Sequence, residues 1–364
     1  MKIAFDAKRF FHNTSGLGNY SRDLVRILAA YFTDNEYILF NKNKSQRGSD
    51  ILSNTNVHFI ETSKGKMSRQ LKMGKDAQKQ NADIFHGLSG ELPLVWDKKP
   101  IKKIVTIHDL IFVRYPQYYS FFDRKIHLWK FKKAAHLADK IIAISEQTKR
   151  DIITYLKVPE SKIEVIYQGC HKAFKENQNE ELILRAKEKF ELPERFILNV
   201  GTIEERKNLL NVVKALKDTN IPLIVVGKKT KYFKKVEQFV QQNKITVKFL
   251  EGVSMEELAV MYKLADIFIY PSFFEGFGIP VIEALFSKTV VITSNTSCLP
   301  EAGGPDSLYI DPQNVQDIRS KIKFLWENES ERKRRADKGF EFVQKFNDEP
   351  IANAVMNLYK EVLS

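Results

Sequence analysis

Cysteine is almost absent: Cys170 and Cys298 are the only two in 364 residues. Two distant cysteines cannot frame a disulfide scaffold, and the lack of a CxxC pair or Cys/His cluster excludes a zinc module. A reducing cytoplasm is the expected compartment. Also lacking is any uncharged apolar run near the ~20 residues that a membrane-spanning helix needs. The opening MKIAFDAKRF has one apolar turn and then charges, so no secretory leader is expected. No short-period repeat and no low-complexity tract occurs. What remains is 43% hydrophobic and 28% charged. That is ordinary for a soluble globular chain, and the length suits two domains.

Acidic residues are scarce in one half only. Residues 1–172 hold 30 Lys and Arg against 17 Asp and Glu, whereas 173–364 hold 28 of each. The whole net charge of +13 therefore lies in the first half. Such asymmetry suggests that this half faces something anionic: a membrane surface, a nucleic acid or a phosphorylated substrate. A merely solvated basic surface is the alternative.

Short apolar runs at 2–6, 37–40, 57–60, 82–85, 103–107 and 140–144 read as strands, with helical stretches between several of them. Strands alternating with helices predict doubly wound parallel α/β sheets. Leu17, Tyr20, Leu24, Ile27, Leu28 and Tyr31 recur at helical spacing. After the polar stretch KENQNEE the pattern restarts, with strands at 196–201, 222–227, 247–252, 266–270 and 289–293. Helices are expected over 207–218, 231–243, 254–265 and 278–287. Domains 1–172 and 173–345 follow. The segment 346–364 reads as a helix whose apolar face, Ile351, Val355, Leu358, Tyr359 and Val362, must pack on something; the first domain is expected.

Four segments carry candidate chemistry. Thr14 to Tyr20 forms a loop with Gly16 and Gly18, where backbone N–H groups at a helix start can meet an anion. Gly201 to Asn208 places Arg206 and Lys207 where a helix opens, a costly position for cations unless an anion is shared with them. A guanidinium fork beside an ammonium suits phosphate oxygens. Pro271 to Ala284 holds Glu275 in a loop and Glu283 inside an apolar, buried helix, where a carboxylate needs partners. His108 ends a strand of the first half. Gly201, Gly227 and Gly252 lie at or just beyond strand ends, the edge where open α/β sheets bind ligands.

Together these segments resemble the retaining glycosyltransferases of family 4, which have the GT-B fold. Phe274-Glu275-Gly276-Phe277-Gly278-Ile279-Pro280 through Glu283 is similar to their E-x7-E motif. Gly201 to Asn208 is similar to G-T-x-x-x-R-K-N. Ser15 to Tyr20 resembles S-G-I-G-R-Y, with Asn19 where Arg is commoner. His108-Asp109 and Ser145 also fall where the family has them. The likeness spans essentially the whole chain and is nearest to bacterial mannosyltransferase-like members of surface polysaccharide synthesis.

The resemblance implies two Rossmann-like domains facing a deep cleft, with the C-terminal helix crossing back to an acceptor-binding first domain. It implies that Arg206 and Lys207 hold the donor diphosphate, Glu275 the sugar hydroxyls and Glu283 the ribose. Gly276, Phe277, Gly278 and Ile279 would contact sugar and phosphate, with Gly16 and Gly18 approaching the diphosphate and His108 beside the sugar. Ser145, Gly201, Gly227 and Val253 complete the implied contacts, the last two near a base pocket read through backbone. GDP-mannose is the expected donor and a UDP-hexose the alternative. The acceptor would be a glycan or lipid-linked saccharide. No metal or other cofactor is expected, since cations and helix N-termini can stabilise the departing phosphate. A nucleotide-sugar 2-epimerase of the same fold and a non-catalytic membrane- or nucleic-acid-binding protein are the rivals. The paired glutamates favour transfer, and the neutral second half argues against nucleic acid.

The stretch from Phe121 to Lys133 mixes aromatics with five cations, near Lys98, Lys99, Lys102 and Lys103 and, earlier, Lys64, Lys66, Arg69, Lys72 and Lys75. Read as an amphipathic helix with Phe121, Lys125, Leu128 and Lys132 in line, it suits contact with anionic headgroups rather than insertion. A peripheral position on the inner face of the cytoplasmic membrane would follow.

Overall fold

The computed structural model of the chain describes residues 1–364 apart from Ser15, Lys64 and Lys66. It divides into two units, Met1–Gly169 with Phe346–Ser364, and Cys170–Lys345. The division falls three residues before the expected 172/173 boundary. The turn Lys172–Phe174 packs on the helices Met255–Leu264 and Ile279–Phe286, and the Phe174 ring meets Tyr262 edge-on at 5.5 Å.

In the first unit the apolar runs become β1 (Lys2–Asp6), β2 (Glu36–Asn41), β3 (Val57–Glu61), β4 (Ile84–Gly87), β5 (Lys102–Ile107), β6 (Lys140–Ala143) and β7 (Ile163–Val165). They form one parallel sheet in the order β3-β2-β1-β4-β5-β6-β7. The second unit contains β8 (Ile197–Val200), β9 (Leu223–Val226), β10 (Val247–Leu250), β11 (Ile267–Tyr270), β12 (Val291–Ser294) and β13 (Leu308–Ile310), ordered β10-β9-β8-β11-β12-β13. Both orders are Rossmann-like. The chain moves outward from the first strand and then returns to its other side, so the order reverses between β1 and β4 and between β8 and β11. A crevice opens there at the carboxyl ends of the strands. Central strands such as β9 (LIVV) and β11 (IFIY) are buried throughout, as expected where helices cover both faces of a parallel sheet.

The C-terminal helix Asp348–Leu363 lies against the helix Gly16–Tyr31 within the first unit. Its expected face, Ile351, Val355, Leu358, Tyr359 and Val362, is buried in one cluster with Tyr20, Leu24, Ile27 and Leu28. Arg26 reaches Asp348 at 2.8 Å. Tyr31, placed on the apolar face by its spacing, is instead 48% exposed.

The helix Phe121–Leu137 departs from the expected amphipathic pattern. Leu128 and Phe131 turn toward the core, where Ala134 and Ala135 are buried. Phe122, Ile126 and Trp129, spaced four and three apart, point outward at 77%, 53% and 50% exposure. Apolar side chains thus occupy opposite faces. Several of the nearby cations already have carboxylate partners: Arg69 pairs with Asp6 and Glu91, Lys130 with Glu91 and, at the surface, Lys75 with Asp97.

If the C-terminal helix is part of the first core, Leu358→Ala should cost about 2–5 kcal/mol. Leu363→Ala, at an exposed position, should stay within about 0.5 kcal/mol. Urea unfolding of the two variants makes the comparison, and equal effects would contradict this packing.

Candidate active site

The second unit gathers its charged residues at the reversal between β8 and β11. Beyond β8 the chain passes Gly201 and makes the short 3-10 turn Glu205–Lys207, ended by Asn208 in a left-handed conformation (φ 60°). Asn208 is 3% exposed, and its amide donates to the carbonyls of Pro271 (3.1 Å) and Pro312 (2.7 Å). The Phe273 N–H donates to the Arg206 carbonyl at 2.9 Å. The loops after β8 and β11 are therefore bound to each other before any side-chain charge is considered.

Their charges meet on one atom, Glu275 Oε1. Lys207 Nζ lies 2.6 Å from it, Arg206 Nη1 2.8 Å, and the Tyr270 hydroxyl donates to it at 3.0 Å. Lys207 also donates to the Tyr270 hydroxyl. Arg206 donates to the Phe274 carbonyl at 2.6 Å and pairs with Glu204 at 2.6 Å. Burial alone would raise the Glu275 carboxyl, but Lys207 and then Arg206 outweigh it and hold it down at about 2. Burial pushes the Lys207 ammonium below its ordinary range, with Glu275 opposing. The anion that two cations at a helix start require is thus supplied from within, by the very residue expected to bind sugar. Glu275 Oε2 takes no part in these bonds.

A segment that the sequence left unremarked holds the Glu275 loop in place. Thr296 Oγ1 donates to the Phe273 carbonyl (3.1 Å), Ser297 Oγ accepts from the Glu275 N–H (3.2 Å), and Cys298 Sγ donates to the carbonyls of Glu275 and Phe277, both at 3.1 Å. Three consecutive side chains after β12 thereby pin alternate residues of the loop. Cys298 is fully buried. Phe277 is core rather than contact surface, at 2% exposure, whereas Gly276 and Ile279 are partly open.

Gly278 caps the helix Ile279–Phe286 with φ 111°, and a Cβ there would come within 3.0 Å of Leu299. Only glycine takes that backbone readily. Gly227 ends β9 so close to β8 that a Cβ would lie 1.9 Å from the Gly201 carbonyl. Val253 is half-buried in the loop after β10. Glu283, one turn into the helix, is 8% exposed and accepts from the Tyr262 hydroxyl at 3.0 Å. Burial raises its carboxyl to about 7, against the smaller opposing effect of that bond.

In the first unit a pocket of about 200 Å³ sits at the corresponding reversal. Arg9 follows β1, Glu91 follows β4 and His108 follows β5; Phe112, His127 and Phe131 form an aromatic wall. His108 Nε2 donates to the Leu88 carbonyl at 2.9 Å, which leaves Nδ1 as the ring's acceptor. Burial lowers the imidazole to about 4, so it is neutral near pH 7. Ser145 lies behind this residue, not in the pocket. It is fully buried, caps the helix Glu146–Asp151 through the Thr148 N–H (3.0 Å), and Thr148 Oγ1 donates to the His108 carbonyl (3.1 Å). Gly16 is exposed at the start of its helix, whereas Gly18 is buried and gives its N–H to Asn13 Oδ1 at 3.1 Å. Ser15 lies outside the described residues.

Glu283 makes a pH prediction. Its folded carboxyl binds a proton more tightly than an unfolded one, whose ordinary value is 4.5. Its contribution to stability is full below about 4.5, declines as pH rises toward about 7 and is flat above that. The change should be on the order of 3 kcal/mol at 1.36 kcal/mol per unit. Glu283→Gln should remove this slope. Urea unfolding of both proteins from pH 4.5 to 8 tests it, and parallel curves would refute it.

Two family models match the chain: Glycosyltransferase Family 4 over residues 15–173 and Glycosyl transferases group 1 over residues 180–342. O-antigen chain mannosyltransferase B of Escherichia coli is 25% identical, the alignment spanning 99% of this chain and all of that protein. O-antigen chain mannosyltransferase RfbU of Salmonella typhimurium is 31% identical over 60% of this chain and 59% of its own length. Sucrose-phosphate synthase from Thermosynechococcus elongatus, 23% identical, superposes with a TM-score of 0.79 over all of this chain and 99% of its own. That likeness identifies the fold as GT-B. With one model over most of each unit, and with His108, Arg206, Lys207, Glu275 and Glu283 inside them, the chain belongs to glycosyltransferase family 4 and is a hexosyltransferase.

Proposed function

We propose that this enzyme moves a mannosyl group from GDP-mannose, with retention of configuration, to a glycan or lipid-linked saccharide in cell-surface polysaccharide synthesis. The observation that carries the reading is the buried Arg206–Glu275–Lys207 cluster at the reversal of the second sheet. Arg206 and Lys207 share Glu275, and Arg206 also holds Glu204, so the cluster presents two preorganised, largely desolvated cations, whose attraction for a diphosphate is worth more there than at the open surface. As the bond from the sugar's anomeric carbon to the diphosphate oxygen breaks, negative charge grows on the phosphate. Arg206, Lys207 and the helix start at Gly278 are placed to stabilise it. In this reading the protein's own groups meet that task without a cofactor.

The other residues divide accordingly. Glu275 Oε2 accepts from sugar hydroxyls, and the neutral His108 offers Nδ1 to another. Retention follows if the departing phosphate itself takes the acceptor's proton on the same face. Glu283 accepts from the ribose hydroxyls, which favour its ionised form, so donor binding releases its proton and strengthens as pH rises through about 7. Both relatives named above are mannosyltransferases, which supports mannose and, with it, GDP. Arg206→Ala or Lys207→Ala should each lower transfer from GDP-mannose about 10²–10³-fold, the loss typical of one preorganised donor. A radiolabelled transfer assay run in parallel with a UDP-hexose reads both points. Changes under tenfold would contradict the diphosphate role, and preferential use of the UDP-hexose would overturn the donor.

A lipid-linked acceptor would bring the enzyme to an anionic membrane surface. Among the described residues no helix is long and apolar enough to cross a membrane. The helix Phe121–Leu137 supports attachment from one side. Its outward stripe of Phe122, Ile126 and Trp129 runs on to the exposed Lys133, with the exposed Lys125 beside it, while His127 and Phe131 face the pocket. Exposed aromatics of this kind insert at the headgroup level, rather than merely touching it, and each neighbouring cation adds on the order of 1 kcal/mol. The wild-type protein should float with anionic liposomes at low salt and partly at high salt, and Phe122→Ser/Trp129→Ser should not. Absence of the wild type from the lipid fraction at both salts would remove the membrane role.

A further inference from the structure

Among the groups that the proposed chemistry leaves unused is a buried polar chain in the first unit. The Tyr359 hydroxyl lies 2.7 Å from His86 Nδ1, His86 Nε2 lies 2.7 Å from Thr106 Oγ1, and Thr106 Oγ1 lies 3.1 Å from the Tyr20 hydroxyl. The Tyr20 ring then meets the His108 ring edge-on, with centroids 4.6 Å apart at 85°. Each member is 8% exposed or less. The chain runs from the C-terminal helix, through β4 and β5, to the helix Gly16–Tyr31, and stops at the residue that lines the pocket.

Its protons are constrained. Burial holds His86 neutral, its imidazole lowered to about 3. One ring N–H and three hydroxyls make four protons for three contacts. If Tyr359 donates to Nδ1, then His86 donates to Thr106, and the surplus proton falls to Thr106 or Tyr20. If His86 donates to Tyr359 instead, Thr106 donates to His86 and Tyr20 to Thr106. The Tyr20 hydroxyl must donate to Thr106 when His86 donates to Tyr359 and is released to donate or accept when Tyr359 donates to His86, so Tyr359 governs its freedom through two intermediates. Hydrogen bonds in such a buried network reinforce one another. The second restraint on His108, its bond to the Leu88 carbonyl, also comes from the strand of His86, two residues on.

We propose that Tyr359, His86, Thr106 and Tyr20 are positioning residues that hold the His108 imidazole in its pocket-facing orientation, so that the C-terminal helix sets the geometry at the sugar. This rests on the reading that His108 contacts the transferring sugar.

The test uses the full-length enzyme with Tyr359→Phe, Thr106→Val, the double variant and Thr106→Ser. Either single break should lower kcat about tenfold with donor KM unchanged. The double variant should be no worse than the weaker single, because one chain is broken once. Thr106→Ser, which keeps the hydroxyl, should restore kcat and shows that the site tolerates change. Nitrogen-15 correlation spectra should show the His108 ring resonances shifted in Tyr359→Phe and in Thr106→Val, but not in Thr106→Ser. Unmoved His108 resonances in both broken variants, or a hundredfold loss in the double, would overturn the proposal. A wild type that transfers from no nucleotide sugar would instead refute the functional reading, and the spectra would still decide whether the chain positions His108.

Discussion

A single carboxylate oxygen, Glu275 Oε1, accepts from two cations and a tyrosine hydroxyl, with none of the three charged side chains more than 16% exposed. Burying such a cluster is expensive, and it persists only where further bonds satisfy the remaining donors. The loops around it are built to do that. Arg206 donates to the Phe274 carbonyl and Lys207 to Tyr270. Asn208 ties the loop after β8 to Pro271 and Pro312, and the three side chains after β12 fasten the backbone that carries Glu275. Weakening any of these ties leaves a buried charge short of a partner. The ion cluster therefore dictates the shape of three loops, and their shape in turn aims Gly278 and its helix.

Much of this frame is legible in the sequence because parallel strands with helices on both faces must be apolar throughout. Runs such as LIVV and IFIY announce themselves. The two three-residue strands β7 and β13 do not, since IEV and LYI at the sheet edges are too short to carry a period. The burial of Glu283 could be inferred from Val281, Ile282, Ala284 and Leu285 around it. Its partner Tyr262 could not, because it comes from a neighbouring helix 21 residues away. Likewise Thr296-Ser297-Cys298 contains ordinary turn residues, and only the fold brings them into contact with partners 21–23 residues away in sequence. The available clue was position: short polar side chains directly beyond a central strand, at the edge where ligands bind.

Glu275 shows a different limit. The cost of two cations at a helix start correctly demands an anion, and the answer read from the sequence is a ligand phosphate. The structure places the glutamate there. The two answers are compatible, because Arg206 and Lys207 together carry more N–H donors than Glu204 and Glu275 engage and because Glu275 Oε2 lies outside the cluster. A diphosphate would take up the remaining donors instead of displacing the glutamates.

Charge counting along the chain points to the wrong half for this purpose. The excess of positive residues belongs to residues 1–172, yet Arg69 and Lys130 there are matched against Asp6 and Glu91, and the pocket beside them holds a neutral histidine. The second half has no net charge by count, and Arg206 and Lys207 are matched there by Glu204 and Glu275, but these cations are largely desolvated. Exposed charges a Debye length apart are largely screened, whereas a buried one is not. The stabilisation of a departing phosphate is therefore governed by where a few side chains are desolvated. Net charge governs what the surface meets, and on the helix Phe121–Leu137 even that depends on the aromatic side chains standing beside the lysines.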